Sequence, residues 1–286
     1  MRSLLAEIFK FLFTIPFLKK KFYGIHKRII SPLNLFKGVE KRINFKKDII
    51  LELHIDDWIQ ENLFFLGSYE ETELCFIEKS LNKGDVFLDI GANIGLFTLV
   101  ASKLVGEKGK VIAFEPFTKN FQSLSKNVSL NRSENIQLEN NAVSETNKEI
   151  EVFYNDQLSN LGMVSSYMIG NNQSEKINAV SVDTYLKNNP VKTISFIKID
   201  VEGGEYPVLL GMKETLSKYN PRLLVEINEE ILAHTPYRES DIIDYLTNLG
   251  YNKYYLDGNG NLITTSSGIE SNNYVFIKKV SNEQTA

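Results

Sequence analysis

The stretch DVFLDIGANIGLF, residues 85–97, decides how this chain is expected to fold. Its first half is an apolar run that ends in an acid, Asp89, and its second half is a turn bounded by Gly91 and Gly95. This order is typical of a buried strand, a turn with a bare backbone and the start of a helix. Ligands of open parallel sheets bind beyond the carboxyl ends of the strands, so the turn predicts a nucleotide site.

The same alternation of strand and helix continues along the chain. Short apolar runs separated by helices indicate a parallel sheet that is covered on both faces. We expect strands at 86–91, 110–116, 136–143, 195–200 and 222–228, with helices at 96–105, 118–131, 206–219 and 239–250. Two further strands, 251–257 and 273–279, have no helix between them and predict a terminal antiparallel hairpin. Such an α/β, mostly parallel, doubly wound sheet with a C-terminal hairpin is the layout of the class I (Rossmann-like) methyltransferase fold.

The residues at the strand ends indicate which nucleotide is bound. A diphosphate-binding turn would have the pattern G-x-G-x-x-G, but here Ala92 follows the first glycine and Asn93 takes the place of the second. Asn93 and the nearby carboxylate of Asp89 fit a ligand with a cationic amino-acid end, which S-adenosylmethionine (AdoMet) has. The second strand ends in Glu115-Pro116, where a carboxylate can accept hydrogen bonds from both ribose hydroxyls. Asn141-Ala142, at the end of the third strand, would frame the adenine.

The motifs GDVFLDIGANIG, AFEP, NNAVS and IKIDVEGGE, in this order, resemble the FkbM family of AdoMet-dependent methyltransferases. VSVDTYL before the last motif and LLVEIN after it agree with the resemblance, which covers roughly residues 66–228. The resemblance implies a methyl transfer to a hydroxyl of a sugar, glycan or secondary metabolite. It also implies that the acceptor is a small molecule or a glycan.

The catalytic base is expected at a strand end that faces the methyl group. Asp200 is the first choice, and Glu202 and Glu205 follow it on the DVEGGE turn. Glu205 falls in the first turn of the next helix, where its charge could instead stabilise the positive end of the helix dipole. A magnesium-assisted version stays open, because Asp200, Glu226 and Asn228 offer oxygen ligands at adjacent strand ends.

The sequence also suggests how the chain is divided. We interpret 1–47 as a basic amphipathic extension, 48–81 as a cap of strands and a helix, and 82–280 as the AdoMet-binding domain, with a tail at 281–286. Within the cap, 48–55 and 62–68 are predicted strands that could form a hairpin, and 69–81 is a predicted helix. An insertion at 144–190 is expected to hold an extra pair of strands, 149–155 and 176–182, and loops that bind the substrate.

Charge is distributed very unevenly along the chain, whose formal net charge is −4. Residues 1–47 hold twelve Lys or Arg and two acids, so the remainder is strongly acidic and a poor candidate for nucleic-acid binding. The first 28 residues could form a helix that packs on the body or on a second subunit of a homo-oligomer. They could also lie on an anionic membrane.

A single cysteine, Cys75, excludes an internal disulfide and favours a reducing compartment. The expected location is therefore the cytoplasm, with a peripheral contact on the inner membrane face as the variant that the basic extension suggests.

Two other functions remain open at the level of sequence. An NAD-dependent sugar oxidoreductase or epimerase would need a turn that tolerates a diphosphate, and usually a Tyr-x-x-x-Lys pair on a core helix. A non-catalytic binding protein with the same fold would not need an intact site. The acids Asp89, Glu115 and Asp200 argue against that second alternative without excluding it.

Overall fold

The computed structural model of the protein describes residues 1–154, 165–167, 173–265 and 271–278. In this part of the chain the helices α1 to α12 are Arg2–Leu12, Pro16–Lys19, Phe22–Ile25, Trp58–Phe65, Glu71–Ser80, Leu96–Val105, Thr118–Asn131, Val182–Asn188, Glu205–Leu210, Lys213–Tyr219, Glu229–Leu232 and Glu239–Asn248. The strands β1 to β13 are Glu40–Phe45, Ile49–His54, Val86–Ile90, Lys110–Phe114, Ile136–Glu139, Ala142–Val143, Lys148–Tyr154, Gln173–Val180, Phe196–Ile199, Arg222–Glu226, Tyr251–Leu256, Leu262–Ile263 and Asn273–Lys278. A π-helical turn, His26–Ile30, follows α3.

Eight strands form the central sheet, in the order β12-β11-β13-β10-β9-β3-β4-β5. The strands from β10 to β5 pair in parallel, whereas β13 is antiparallel to both β10 and β11. The predicted terminal hairpin is therefore confirmed. So is the predicted class I methyltransferase fold, since the sheet is mostly parallel and has its antiparallel strands at one end.

The middle strands of this sheet are buried on both faces, which explains their uninterrupted apolar sequences. Every residue of β3 is buried. Successive side chains of a strand point to opposite faces. Accordingly, Phe87 packs in one apolar cluster with Leu99 of α6, and Leu88 packs in a second cluster with Val208 of α9.

The predicted insertion forms a small sheet of its own. β7 and β8 correspond to the predicted pair of strands. They pair antiparallel, and β6 joins β8 in parallel. The single strand expected at 136–143 is wrong, because the chain leaves the central sheet at Asn140 and Asn141 before it enters β6. The amide group of Asn140 donates to the backbone oxygens of Glu115 and Pro116 at 2.9 and 3.0 Å, which holds this crossing point. Part of the loop predicted to bind substrate lies outside the described residues.

The strand predicted at 62–68 is also wrong, since residues 62–65 belong to α4 and residues 66–68 follow its end without regular structure. Asp57 precedes this helix with extended backbone, and its carboxylate accepts a hydrogen bond from the amide of Gln60 at 3.2 Å. A cap of this kind starts a helix whatever the strand propensity of the aromatic residues that follow. The true partner of β2 is β1, which pairs with it antiparallel.

The helix predicted at 206–219 is interrupted at Gly211, between α9 and α10. A Cβ atom at this glycine would lie 2.1 Å from the backbone oxygen of Ser144. The two backbones therefore approach each other more closely than any larger residue would allow. This contact ties the helix pair to the first residues of the insertion.

The first 47 residues are joined to the rest of the protein by a shared core. Phe13, Phe22 and Phe36 are buried in the same apolar cluster as Leu51 of β2 and Leu99 of α6. The predicted boundary after residue 47 falls in the turn between the paired strands β1 and β2. No helix of the described residues is long and apolar enough to cross a membrane.

Candidate active site

A cavity of about 410 Å³ opens at the carboxyl edge of the central sheet. Its volume lies within the range of ~300–1,000 Å³ that is typical of ligand pockets. Its walls come from the ends of β3, β4, β9 and β10, from the insertion sheet, and from Ile59 and Tyr69 of the N-terminal part. The predicted site residues that line it are Gly91, Asn93, Glu115, Pro116, Asn141, Ala142, Asp200, Glu202 and Glu226.

The turn after β3 brings two strand ends into contact. Gly91 has φ +85°, and a Cβ atom there would lie 1.7 Å from the backbone oxygen of Asp200. The amides of Gly91 and Ala92 both donate to the carbonyl of Phe114, each at 3.0 Å. A larger residue cannot replace Gly91 without moving β3 away from the end of β9, so this glycine fixes the floor of the cavity.

Glu115 connects this turn to the end of β4. One carboxylate oxygen accepts from the amide of Asn93 at 2.8 Å, and the other accepts from the amide of Phe117 at 3.0 Å. Burial raises the pKa of Glu115 to about 7, although both backbone hydrogen bonds favour the charged form. Each carboxylate oxygen has a second lone pair, so Glu115 can still accept hydrogen bonds from a ligand in the cavity.

Besides Asn228, which was predicted as a metal ligand, four predicted residues do not line the cavity. Asp89 is fully buried in β3, where it accepts from Thr98 Oγ1 at 2.5 Å, and its Oδ1 has no hydrogen-bond partner among the described residues. Burial raises its pKa. Ala92 packs in a small apolar cluster with Leu124. Gly95 precedes α6 against the same leucine.

Glu205 is the fourth. It is buried, and its Oε1 accepts from the amide of Gly203 at 3.0 Å. Burial raises its pKa to about 7. The structure thus gives Glu205 a place inside the DVEGGE turn, in which Glu202 and Gly203 have φ +54° and +98°. This geometry bends the chain sharply and directs Glu202 toward the cavity wall.

Four carboxylates gather on one side of the cavity, and we call them the acidic cluster: Glu70, Asp200, Glu202 and Glu226. Carboxylate oxygens of the last three lie within 4.8 Å of one another. One buried cation offsets them, because Lys198 Nζ lies 2.7 Å from Asp200 Oδ2. When all four are ionised, the cluster carries more negative charge than Lys198 can neutralise, and a ligand with positive charge would favour that ionised state.

The four carboxylates of the acidic cluster differ in how readily they ionise. Burial opposes ionisation of Asp200, but Lys198 and a hydrogen bond from Glu226 hold its pKa below the ordinary value. Burial together with the charge of Asp200 raises the pKa of Glu202 to about 8 and that of Glu226 well above its ordinary value. Burial also raises the pKa of Glu70 to about 8. Asp200 is therefore the carboxylate most readily ionised.

Sequence reasoning missed Glu70 and Lys198. Glu70 has a left-handed backbone, φ +48° and ψ +48°, at the residue before α5, yet its side chain does not cap that helix. A non-glycine residue in this region is uncommon and often marks a functional site. No sequence pattern announces it. Lys198 stands in the IKID motif, where a lysine inside an apolar strand is a usable signal.

The oxygen ligands for a magnesium ion differ from those expected. Asn228 caps α11, with its Oδ1 accepting from the amide of Glu230 at 3.0 Å. Glu202, and not Asn228, is the third possible oxygen ligand beside Asp200 and Glu226. Three carboxylates within reach of one point suit a hard divalent cation. They suit the cationic end of an organic ligand equally well.

Comparison with known proteins gives a consistent result. The sequence model of the family described as "Methyltransferase FkbM domain" matches residues 89–253. The hexuronic acid methyltransferase AglP of Haloferax volcanii is 27% identical over 159 residues, which are 56% of this chain and 62% of the relative. The match thus spans less than two thirds of that relative's length.

Two solved structures align with this chain at low similarity. A methyltransferase FkbM from Methylobacillus flagellatus aligns at a TM-score of 0.43 and 16% identity, over 76% of this chain and 52% of its own. An O-methyltransferase from Bacillus cereus in complex with SAH aligns at a TM-score of 0.45 and 12% identity, over 74% of this chain and 83% of its own.

Proposed function

We propose that this chain, which belongs to the FkbM methyltransferase family, transfers the methyl group of AdoMet to a hydroxyl of a sugar or glycan. The acidic cluster carries the proposal, because it lies beside the glycine turn at the carboxyl edge of the sheet. AdoMet bears positive charge on its sulfonium and on its ammonium group. A cation bound beside the four carboxylates favours their ionised forms, so the cavity suits this donor better than a dinucleotide, whose diphosphate is negative.

The donor would lie along the strand ends. Glu115 would accept hydrogen bonds from the ribose hydroxyls, and Asn141 with Ala142 would frame the adenine next to Pro116. The methionine end would lie over Gly91 and Asn93. Asp89, Ala92 and Gly95 would support the turn from beneath rather than touch the donor.

Glu70 is our candidate for the residue that binds the ammonium group of AdoMet. It lines the cavity together with Asp200, and its carboxylate interacts electrostatically with Asp200 and Lys198. A cation placed between Glu70 and Asp200 would relieve their repulsion. The ammonium would thus offset the negative charge of these carboxylates, as Lys198 does for Asp200.

A base must remove the proton of the acceptor hydroxyl, and the two candidate acids, Asp200 and Glu202, differ in pKa. Methyl transfer is an in-line displacement on a carbon already activated by the sulfonium, and alignment of the reactants can supply ~7–11 kcal/mol. Asp200 is a weak base because its pKa is held low, whereas Glu202, with a pKa of about 8, can accept a proton near neutral pH. We therefore assign the base to Glu202, and to Asp200 the fixing of Lys198.

The acceptor is proposed to be acidic. Lys148 of the insertion is the only cationic side chain among the described residues that line the cavity. It could bind a carboxylate on a sugar, and the relative AglP is named for methylation of hexuronic acid. Substitution of Lys148 by Ala would then raise the KM for an acidic sugar acceptor at least about tenfold, the order expected from losing one charged hydrogen bond, and leave a neutral acceptor unchanged.

The test of the function is transfer of a labelled methyl group from AdoMet to a panel of uronic-acid and neutral glycosides. Calorimetry with AdoMet and with NAD decides between the methyltransferase and an NAD-dependent sugar oxidoreductase or epimerase. Binding of AdoMet without transfer to any acceptor would favour a non-catalytic binding protein. Full activity in EDTA, with no gain from added Mg²⁺, would end the magnesium version.

A cytoplasmic location and a homo-oligomeric state stay predictions. Each follows from the sequence arguments given above, the single cysteine for the first and the apolar N-terminal helix for the second. Fractionation of cells and sedimentation of the purified protein would measure them directly.

A further inference from the structure

The exposed large apolar side chains are concentrated in one part of the molecule. Of the eleven such side chains among the described residues, ten lie within residues 1–33, and the other is Leu262. Phe11 and Phe17 are exposed by 70% and 63%. Soluble surfaces carry scattered apolar residues, but a contiguous group of this size marks an interaction site.

These side chains follow one face of α1 and continue past its end. Leu4, Ile8 and Phe11 are exposed at helical spacing, and Ile15 continues the row. The opposite face is already used, since Ala6 and Phe13 are buried in the core. The exposed apolar row therefore cannot turn inward.

The opposite face is also held firmly in place. The ring of Phe13 meets the rings of Phe22 and Phe65 edge-on, with centroids 5.0 and 5.6 Å apart. α1 is thus a fixed part of the structure, and the apolar row is presented to the surroundings at a defined orientation.

Basic side chains accompany this row. Lys20, Lys21, Lys27 and Arg28 are exposed, and the ammonium of Lys21 lies 4.2 Å from the ring centroid of Phe17. None of these four takes part in the ion pairs of the described residues. Their charges remain available to a partner.

We propose that residues 1–33 form a docking surface for an anionic lipid bilayer, with the apolar row of α1 at the acyl boundary and the basic residues at the headgroups. Apolar side chains bordered by lysines are what such an interface binds. The strongly acidic remainder of the chain would be repelled by the same lipids, so the protein could dock in only one orientation. A second copy is a poorer occupant, because a two-fold interface would place the basic patch against itself.

A single helix, α4, connects the N-terminal residues to the cavity. Trp58 of α4 stacks on Phe22 at a centroid distance of 5.8 Å, and the next residue, Ile59, lines the cavity. Lipid docking would therefore bring the cavity near the bilayer. The proposal does not depend on the methyltransferase activity, since lipid binding is measured without a donor or an acceptor.

The experiment is flotation of the full chain with vesicles of phosphatidylcholine alone or with about one third phosphatidylglycerol. We expect the protein to float with the anionic vesicles and to remain in solution with the neutral ones. Replacing Lys20, Lys27 and Arg28 by Gln should weaken binding by about fivefold for each basic residue, the attraction of one cation to an anionic surface. Binding to neither vesicle, or equal binding to both, would overturn the proposal.

The apolar part is tested with Phe11→Glu combined with Phe17→Glu. Both side chains are exposed, so the variant should melt at the temperature of the wild type yet lose flotation. The matched control is Leu262→Glu, an exposed apolar residue outside the surface, which should float normally. The idea is wrong if the control loses flotation equally or if the double variant still floats. It is also wrong if the wild type is a dimer that ignores vesicles and the double variant is a monomer.

Discussion

Glu202 and Asp200 lie within one carboxylate cluster, yet their surroundings give them opposite tendencies. Asp200 is paired with Lys198 at 2.7 Å, whereas Glu202 has no cation as close among the described residues and its pKa is about 8. Two acids whose pKa values are pushed apart by their environment are suited to different roles. The two acids are only two residues apart, so the sequence alone could not assign them different roles.

We therefore expect Glu202→Gln to lower turnover by about 10²–10⁴-fold while AdoMet still binds. In the wild type, kcat should rise with pH as Glu202 loses its proton, at a pH below the value of about 8 in the free protein because bound AdoMet favours the carboxylate, and this rise should vanish in the variant. The comparison variant is Asp200→Asn, which should lower turnover but keep the pH dependence. If the rise persists in Glu202→Gln and is lost in Asp200→Asn, the base is Asp200.

Glu115 gives a prediction about binding rather than turnover. Replacing it by Ala should weaken AdoMet binding by roughly 10- to 100-fold, as expected when a charged group loses a hydrogen bond to its ligand. Glu115→Gln keeps one acceptor oxygen and should weaken binding less. Calorimetry of the three proteins measures the effect, and unchanged affinity in Glu115→Ala would contradict the assignment of the ribose site.

At the scale of the element, the turn after β3 depends on a close contact between backbones. Gly91 and Gly84 both have positive φ, +85° and +93°, but only Gly91 faces another backbone, since nothing lies within 4 Å of a Cβ atom at Gly84. Substitutions at these two glycines therefore separate two costs of adding a side chain: the strain of a left-handed backbone and the clash with neighbouring atoms.

Gly84→Ala should lower the free energy of unfolding by about 1–2 kcal/mol, the cost of a left-handed backbone. Gly91→Ala should cost more than about 4 kcal/mol, in the range that marks a severe local conflict, because the new methyl group meets the carbonyl of Asp200. Urea unfolding of both variants measures the difference. Equal losses would mean that the contact between β3 and β9 relaxes easily.

At the scale of the whole molecule, the buried acids connect stability to pH. Burial raises the pKa of Glu115 and Glu205 to about 7 and that of Glu70 and Glu202 to about 8, from the ordinary value of 4.5. Between these values the folded protein binds more protons than the unfolded chain. Stability therefore falls as the pH rises through this interval.

The melting temperature of the free protein should accordingly decrease from about pH 4.5 to about pH 8. AdoMet should oppose this decrease, because its cations favour the charged carboxylates of the acidic cluster. Thermal melts with and without AdoMet at several pH values measure both effects. A stabilisation by AdoMet that shrinks as the pH rises would contradict the charge complementarity.

The N-terminal residues are part of the same folded unit in the structure. Removal of residues 1–47 would delete β1 and the buried side chains of Phe13, Phe22, Ile30 and Phe36. Each buried side chain of this size contributes about 1.5–3 kcal/mol, so the truncated chain should lose cooperative unfolding and bind a hydrophobic dye. A truncated chain that melts like the full one would show that this core is dispensable, and for this reason lipid binding is best tested by point variants.

The sequence by itself determined the central sheet and most of its helices. The helices at 96–105 and 118–131 agree with α6 and α7 at both ends, because apolar spacing and turn residues are local properties of the chain. The strand ends followed from the same patterns, and nine of the site residues predicted there line the cavity. The family resemblance rested on motifs at these strand ends.

Only the tertiary structure decided what meets across the cavity. Glu70 comes from before the first strand of the sheet and Glu226 from its fifth parallel strand, and no local pattern relates them. Residues 62–65 were predicted as part of a strand but belong to α4, because the cap at Asp57 and the packing of the helix's apolar face outweighed strand propensity. The charge state of each acid likewise depends on burial and on neighbours distant in sequence, and these exist only once the chain has folded.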